Sequence, residues 1–111
     1  MNTTDVGQRG EEIASSFLVR QGFVVHSRNW KTKWCEIDII ASKDDCIYFC
    51  EVKYRTSDAQ GEGYEYVTPK KLRQMTFAAE LWVRANGYEG DMQLVVLSVD
   101  AAERVTWYDA L

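Results

Sequence analysis

The residues of this chain best suited to chemistry are three acids and a lysine on two apolar segments. Glu36 and Asp38 alternate with isoleucines, and a little further on Glu51 and Lys53 flank Val52. If both segments are β-strands, the members of each pair share a face, because strand side chains alternate. Carboxylate oxygens suit Mg²⁺ or Mn²⁺, and a nearby lysine orients water or offsets charge on a phosphate. The pattern therefore indicates a candidate site for a divalent cation.

Whether the two pairs meet depends on the turn between the segments. A two-residue loop at Asp44 and Asp45 predicts three opposed pairs: Lys43 with Cys46, Asp38 with Glu51, and Glu36 with Lys53. Opposed Cβ atoms lie about 5 Å apart, where two carboxylates repel unless they share a proton or a cation. A slip of one residue would put Asp38 and Glu51 on opposite faces, and the sequence leaves the register open. In the competing interpretation, Glu51 and Lys53 lie at a solvated strand end and Asp38 forms a surface ion pair.

The elements that must position these residues follow from hydrophobic periodicity and turn residues. The sequence predicts helices at 5–21 and 68–85, and strands at 23–27, 34–42, 46–54, 92–99 and 104–108, with a basic connection at 28–33. The third strand is apolar on both faces, which is typical of a central strand. The order α-β-β-β-α-β-β predicts an α/β sandwich with a mixed sheet.

Composition narrows the function classes. A length of 111 residues predicts a single domain, and the net charge of −4 argues against tight, sequence-independent coating of nucleic acid. No apolar run has the length of a membrane span, and the N-terminus lacks the apolar core of a signal peptide, so a cytoplasmic protein is expected. Cys35, Cys46 and Cys50 form no zinc pattern and are expected to be reduced and partly buried.

Several separated motifs occur in an order that resembles a known family. The segments are Gly7-Gln8-Arg9-Gly10-Glu11, Arg28-Asn29-Trp30, Glu36-Ile37-Asp38-Ile39-Ile40-Ala41, Phe49-Cys50-Glu51-Val52-Lys53-Tyr54-Arg55 and Val67-Thr68-Pro69-Lys70-Lys71-Leu72-Arg73. Across nearly the whole chain they resemble the uncharacterised bacterial family UPF0102, or YraN-like. Cys35 stands where that family usually has glycine. Cys50 stands where it often has valine.

The resemblance implies a PD-(D/E)XK, or restriction-endonuclease-like, fold. This is a three-layer sandwich in which a mixed five-stranded sheet is flanked by helices, and its layout is similar to that of archaeal Holliday junction resolvases. The implied activity is metal-dependent endonuclease cleavage of nucleic acid, with branched DNA as the substrate to test first. Related resolvases act as dimers, so a homodimer is plausible. A recombination or DNA-processing protein is a further candidate partner.

Four site residues follow from the resemblance. Asp38 and Glu51 would be the main ligands of Mg²⁺ or Mn²⁺, and Glu11 would contact the metal or its water from the first helix. Lys53 would sit beside the attacking water and the scissile phosphate; its protonation state is open, because a metal lowers its pKa and carboxylates raise it. Gly10 would let the first helix approach the site closely.

Contacts to nucleic acid are predicted from basic and aromatic residues. The basic candidates are Arg28, Arg55, Lys70, Lys71 and Arg73. The last three crowd a helix N-terminus, which attracts anions, although each charge alone also fits an ordinary solvated face. Trp30 and Trp34 could stack on bases, but packing is the preferred interpretation. The polar segment 56–66 fits a loop that closes over substrate as well as it fits a linker.

Two other function classes compete with the enzyme. A nuclease fold that binds nucleic acid without cutting it would show steep salt dependence and no hydrolysis. A protein-interaction module would fail both tests and retain a protein partner. The intact set Glu11, Asp38, Glu51 and Lys53 favours the enzyme, whereas the acidic net charge favours the alternatives. The choice between DNA and RNA stays open.

Overall fold

A computed structural model of the protein describes residues 3–55 and 67–110, with side chains from residue 7 onward. The elements are α1 (Thr3–Arg20), β1 (Val24–Lys31), β2 (Glu36–Lys43), β3 (Cys46–Tyr54), α2 (Pro69–Asn86), β4 (Asp91–Val99) and β5 (Val105–Asp109). Their order is the predicted one. The predicted loop at 56–66 lies outside the described residues. Within the described part of the chain, neither helix has the length and apolar character needed to cross a membrane.

The five strands form one mixed sheet in the order β1-β2-β3-β4-β5. The β3–β4 pair is parallel, and the other pairs are antiparallel. Parallel neighbours need a crossover connection, and α2 lies in the chain between β3 and β4.

Apolar clusters lie on both faces of the sheet. Ala14 and Leu18 of α1 pack in one cluster of fully buried residues, the α1-side cluster, with Ile39 and Val95 among its strand members. Ala78 and Ala79 of α2 pack in a second cluster, the α2-side cluster, which includes Ile40, Phe49 and Leu94. The chain is therefore a three-layer α/β sandwich, which confirms the predicted architecture.

The β2–β3 hairpin has the predicted two-residue turn. Lys43 pairs with Cys46, and the same register continues as far as Ile39 opposite Cys50. Asp44 and Asp45 both have positive φ angles, 51° and 65°. Such angles match a type I′ turn, whose twist suits the twist of the flanking strands. The local turn therefore sets the register that brings the acid-bearing ends of β2 and β3 together.

The first strand is longer than predicted. Residues 28–31 are predicted as part of a connection, but they continue β1 beyond an irregularity in its register between Val25 and Ser27. Asn29, inside this stretch, has a positive φ of 56°. Trp30 pairs with Ile37 and packs against the α2-side cluster, so burial of this aromatic ring favours strand structure here. The preference for packing is confirmed for Trp30.

Glycine allows α1 to lie close to β3. A Cβ atom added to Gly10 would lie 3.1 Å from Cδ2 and 3.2 Å from Cβ of Tyr54, closer than most such contacts. Gly7, one turn earlier, has open space at the same position. Gly10 thus lets α1 approach β3 closely at Tyr54, and its expected approach to the site stays a prediction.

This contrast predicts opposite effects of substituting the two glycines. We expect Gly10→Val to destabilise the protein by about 1–3 kcal/mol, because the added atoms must displace Tyr54. Gly7→Ala should instead stabilise it by up to about 1 kcal/mol, because alanine favours a helix and meets nothing. Urea denaturation of the three proteins measures both effects. Equal stability of Gly10→Val and wild type would show that the helix does not depend on this contact.

Candidate active site

A groove of about 270 Å³ opens where β2 and β3 separate beneath α2. The residues that matter most in its lining are Trp34, Asp38, Glu51, Lys71, Gln74 and Phe77. Asp38 and Glu51, which the sequence predicts as neighbours, therefore share one groove. Lys71, Gln74 and Phe77 come from α2, so the groove joins the two strands to the helix above them.

The Asp38 carboxylate lies where the β2–β3 ladder stops. Its Oδ2 accepts a hydrogen bond of 2.8 Å from the backbone N–H of Val52. In a continued ladder, the carbonyl of Ile37 would accept this bond. The side chain thus replaces a backbone acceptor, and the last described pair of the two strands is Ile39 with Cys50.

The predicted pairs beyond this point are wrong for the described residues. Asp38 and Glu51 follow directly after the last ladder pair but do not belong to it. Glu36 is exposed and forms an ion pair of 3.6 Å with Lys31 on β1, instead of lying opposite Lys53. The physical reason is the bond to Val52, which takes the place of the next backbone bond.

Strict alternation along β2 also breaks at this point. Ile37 belongs to the α2-side cluster, whereas Ile39 belongs to the α1-side cluster. Regular alternation would put both isoleucines on the same face. Asp38, between them, is therefore at a local irregularity of the strand.

Burial changes the acidity of Asp38. Desolvation is the largest influence and raises the pKa of this carboxyl from 3.8 to about 6, while the Val52 N–H works in the opposite direction. The negative charges of Glu11, Glu51 and Glu36 raise the pKa further. A nearby cation would relieve both the desolvation and the repulsion.

Glu51 is held by a lysine from the opposite element. Its Oε1 forms an ion pair with Nζ of Lys71, and both side chains are largely buried, at 20% and 26% exposure. The other oxygen, Oε2, is buried and accepts no hydrogen bond from the described residues. A buried carboxylate oxygen without a donor is costly, and it is an available ligand for a cation.

The start of α2 explains how Lys71 reaches the strands. The Thr68 side chain caps the helix by accepting a bond of 3.1 Å from the N–H of Lys71, and Pro69 occupies the first turn. Lys71, Gln74 and Ala78 then recur at the spacing that shares one helix face. The Thr68 cap thereby places Lys71 where it pairs with Glu51, a contact that the sequence analysis missed.

Asp38 and Glu51 fit a hard divalent cation. Mg²⁺ in proteins is typically held by one or two carboxylates, with water and substrate phosphate as its other ligands. Within residues 3–55 and 67–110, no three acidic, histidine or cysteine side chains converge closely enough to hold a metal ion. The negative charge of Glu11, on α1, raises the pKa of Asp38. The role of Glu11 as a metal ligand stays a prediction.

Cys50, which lines the groove, is a poor thiolate ligand. Cys35, Cys46 and Cys50 are all free, and Cys50 is buried. Burial, and secondarily the charge of Asp38, raises the pKa of the Cys50 thiol to about 12. Since only the thiolate binds metal well, Cys50 behaves as a small apolar residue. This fits the predicted reduced state.

The predicted basic residues lie at several places around the sheet. Lys53 is half-buried on β3 beside Ser98 of β4, and among the described residues Lys71 is the one lysine in the groove lining. Arg28 is exposed on β1, Lys70 and Arg73 are exposed on α2, and Arg55 is half-buried just after β3. Their roles toward nucleic acid stay predictions.

Aromatic residues at the groove differ from the prediction. Trp34 does not pack into the core: its side chain is 67% exposed. Phe77, which the sequence analysis did not single out, is 47% exposed at the same groove. Helical spacing from Lys71 could have indicated Gln74, and the same spacing of three from Gln74 could have indicated Phe77.

The raised pKa of Asp38 predicts how the free energy of unfolding depends on pH. The folded-state pKa exceeds the unfolded value, so this group favours the fold below about pH 4 and loses that contribution as pH rises through about 6. At about 1.4 kcal/mol per pKa unit, we expect Asp38→Asn to stabilise the metal-free protein at pH 8 by on the order of 3 kcal/mol, and to change little at pH 4. Urea denaturation in EDTA measures this difference.

Asp100 supplies a control of opposite sign. Backbone and side-chain hydrogen bonds from Arg104 lower the pKa of this half-buried carboxyl, so its contribution is present at neutral pH and is lost on acidification. Asp100→Asn should therefore destabilise the protein at pH 8. An Asp38→Asn protein that follows the wild-type pH dependence would show that the Asp38 carboxylate is well solvated.

Comparison with known proteins places the chain among its relatives. The family model described as "Uncharacterised protein family UPF0102" matches residues 10–105. A UPF0102 protein of Kineococcus radiotolerans is 41% identical over 73% of this chain and 66% of its own length. A UPF0102 protein of Fusobacterium nucleatum is 36% identical over 80% of this chain and 75% of its own length. One of Vibrio campbellii is 33% identical over 92% of this chain and 87% of its own length. The chain therefore belongs to the UPF0102 family.

Proposed function

We propose that this protein is a metal-dependent nuclease that hydrolyses phosphodiester bonds at the groove between β2, β3 and α2. The observation that carries the proposal is the Glu51 carboxylate, whose buried Oε2 accepts no hydrogen bond from the described residues, in the same groove as Asp38. Two desolvated acids at an opened sheet have a physical rationale as cation ligands. Without a cation, the desolvation of Asp38 and its repulsion by Glu51 oppose folding, even though Asp38 also satisfies the Val52 N–H.

The proposed roles follow from the chemistry of each side chain. Asp38 and Glu51 would hold Mg²⁺ or Mn²⁺, and Glu11 would contact it from α1. The cation would polarise the phosphate and lower the pKa of its bound water. Lys53 is proposed, from the resemblance of the Glu51-Val52-Lys53 motif, to orient the attacking water and offset charge on the phosphate.

Lys71 adds a feature that the sequence motif lacks. Its ammonium holds Oε1 of Glu51 and so neutralises part of the acidic charge when no cation is present. This contact leaves Oε2 for a cation. Lys71 therefore tunes the affinity of Glu51 for a metal by competing for the same carboxylate.

Nucleic acid is the proposed substrate class because of what borders the acids. The exposed Lys70 and Arg73 lie on the helix that covers the groove, near a capped N-terminus that also attracts anions. Arg28 and Arg55 would add contacts from the strands. Branched DNA of the Holliday-junction type is the finer proposal, and it rests on the resemblance to resolvases. A homodimer or a DNA-processing partner would help an acidic protein reach such a substrate.

A non-catalytic binding module is the second candidate. The Lys71–Glu51 ion pair favours it, because the acid already has a cationic partner within the chain. A chain with net charge −4 that docks on another protein fits the same observation. Either module would bind its partner without divalent cations.

Hydrolysis of nucleic acid tests the enzyme directly. We expect Mg²⁺ or Mn²⁺ to support cleavage of a labelled branched DNA, and Asp38→Asn and Glu51→Gln each to lower the rate by about 100-fold or more, because each removes a charged ligand. EDTA should abolish the activity. Gel electrophoresis of cleavage products gives the rate. If all variants share the wild-type trace activity, the groove is not the active site.

Two lysines can be assigned different roles by separating metal binding from rate. Lys71→Met should lower metal-free stability by about 1–3 kcal/mol, because Glu51 loses its partner, and Mg²⁺ should then raise the melting temperature more than in wild type. Lys70→Met, an exposed neighbour, is the matched control. Lys53→Ala should reduce cleavage by about 100-fold while leaving stabilisation by Mg²⁺ unchanged.

The opposite pattern would reassign the lysines. Loss of cleavage in Lys71→Met without loss in Lys53→Ala would make Lys71 the residue that acts on substrate. Equal stabilisation of Lys71→Met and Lys70→Met by Mg²⁺ would show that Lys71 does not compete with the cation for Glu51.

A further inference from the structure

We infer that Trp34 and Phe77 bind an unpaired nucleotide beside the acidic groove, so that the substrate carries a single-stranded segment. The inference rests on the proposed function of this groove. It goes further by naming the strand structure that the site selects and the residues that select it.

The first observation is the exposure of two aromatic rings at one place. Trp34 is 67% and Phe77 47% exposed, and both line the groove that contains Asp38 and Glu51. Tryptophan is enriched at interfaces, and contiguous exposed apolar surface marks interaction sites, whereas single scattered side chains do not. The two other large apolar side chains of comparable exposure in the described chain, Val19 and Val24, lie outside the groove lining.

The second observation is the turn that carries Trp34. The Thr32 hydroxyl accepts hydrogen bonds from the N–H groups of Trp34 at 3.1 Å and Cys35 at 3.2 Å. The Thr32 N–H in turn donates to the Cys35 carbonyl at 2.9 Å. The backbone of Trp34 is therefore fixed before any ligand binds, which lowers the entropic cost of using its ring as a binding surface.

The third observation is the charge next to that ring. The Lys33 ammonium lies 4.7 Å from the centre of the Trp34 ring. The ammonium lies over one face of the indole, and the exposed part of the ring is available for stacking. A flat aromatic surface beside a positive charge matches a nucleotide, whose base stacks while its phosphate needs a cation.

The overall charge of the chain favours an unpaired strand over a duplex. Duplex binding without sequence preference depends on many phosphate contacts from lysine and arginine, and this chain has a net charge of −4. Stacking instead contributes about 1–3 kcal/mol per base and needs a base whose face is accessible. A groove of about 270 Å³ with two exposed aromatic residues in its lining suits a base and not the width of a duplex.

Binding measured without divalent cations tests this inference independently of hydrolysis. Fluorescence anisotropy in EDTA would compare labelled single strands of about 15 nucleotides, as DNA and as RNA, with a blunt duplex of the same sequence. We expect wild type to bind at least one single strand more tightly than the duplex. Trp34→Ala should weaken that binding about 5- to 100-fold, and Phe77→Ala should weaken it less.

Two variants serve as controls. Trp34→Phe keeps an aromatic ring and should retain most of the affinity. Val19→Ala removes an equally exposed apolar side chain elsewhere and should retain all of it. Because Trp34 is exposed, Trp34→Ala should melt within a few degrees of wild type, so weaker binding will not reflect unfolding.

The inference is overturned if the duplex binds as tightly as the single strands, or if Trp34→Ala and Val19→Ala bind alike. The latter outcome would show that Trp34 does not contact the nucleic acid. Trp34-dependent binding together with absence of cleavage in Mg²⁺ would reject the proposed reaction and leave this inference standing.

Discussion

The hydrogen bond from the Val52 N–H to the Asp38 carboxylate is the interaction on which the groove depends. A sheet normally satisfies such a donor with the carbonyl of the next strand, and the ladder then continues. Here a side chain takes that bond, so the backbone donor is satisfied and the two strands are free to separate. The groove thus opens at the middle of the molecule without leaving the amide of Val52 unpaired.

The site also carries unfavourable electrostatics that the rest of the fold must offset. Asp38 is desolvated and repelled by neighbouring acids, and Glu51 keeps one oxygen without a donor in the described chain. The two apolar clusters and the β3–β4 pairing supply the compensating stability. Lys71 reduces the repulsion but comes from a different element, so the charge balance of the groove depends on how α2 sits on the sheet.

Local rules account for much of what could be predicted. The turn at Asp44 and Asp45, the apolar run of β3 and the Thr68–Pro69 helix start are short-range signals, and the structure follows each of them. The hairpin register then follows from the turn. These signals sufficed for the element order and for the meeting of Asp38 with Glu51.

Other features depend on contacts that no local pattern contains. The end of the ladder at Asp38 reflects competition between a side chain and a backbone acceptor. The Lys71–Glu51 pair forms across the crossover from β3 to α2. The exposure of Trp34, in contrast to the packing of Trp30, depends on a turn closed by Thr32, whose hydroxyl the sequence analysis did not consider.

The order in which the chain is synthesised affects the same groove. A β-hairpin forms within about 10 µs, whereas a ribosome adds about 5–20 residues per second. Asp38 and Glu51 therefore emerge from the ribosome, and can meet through their local turn, before Lys71 and β4 emerge. During that interval the acidic pair lacks the Lys71 ammonium, and cations from the medium can supply counter-charge in its place.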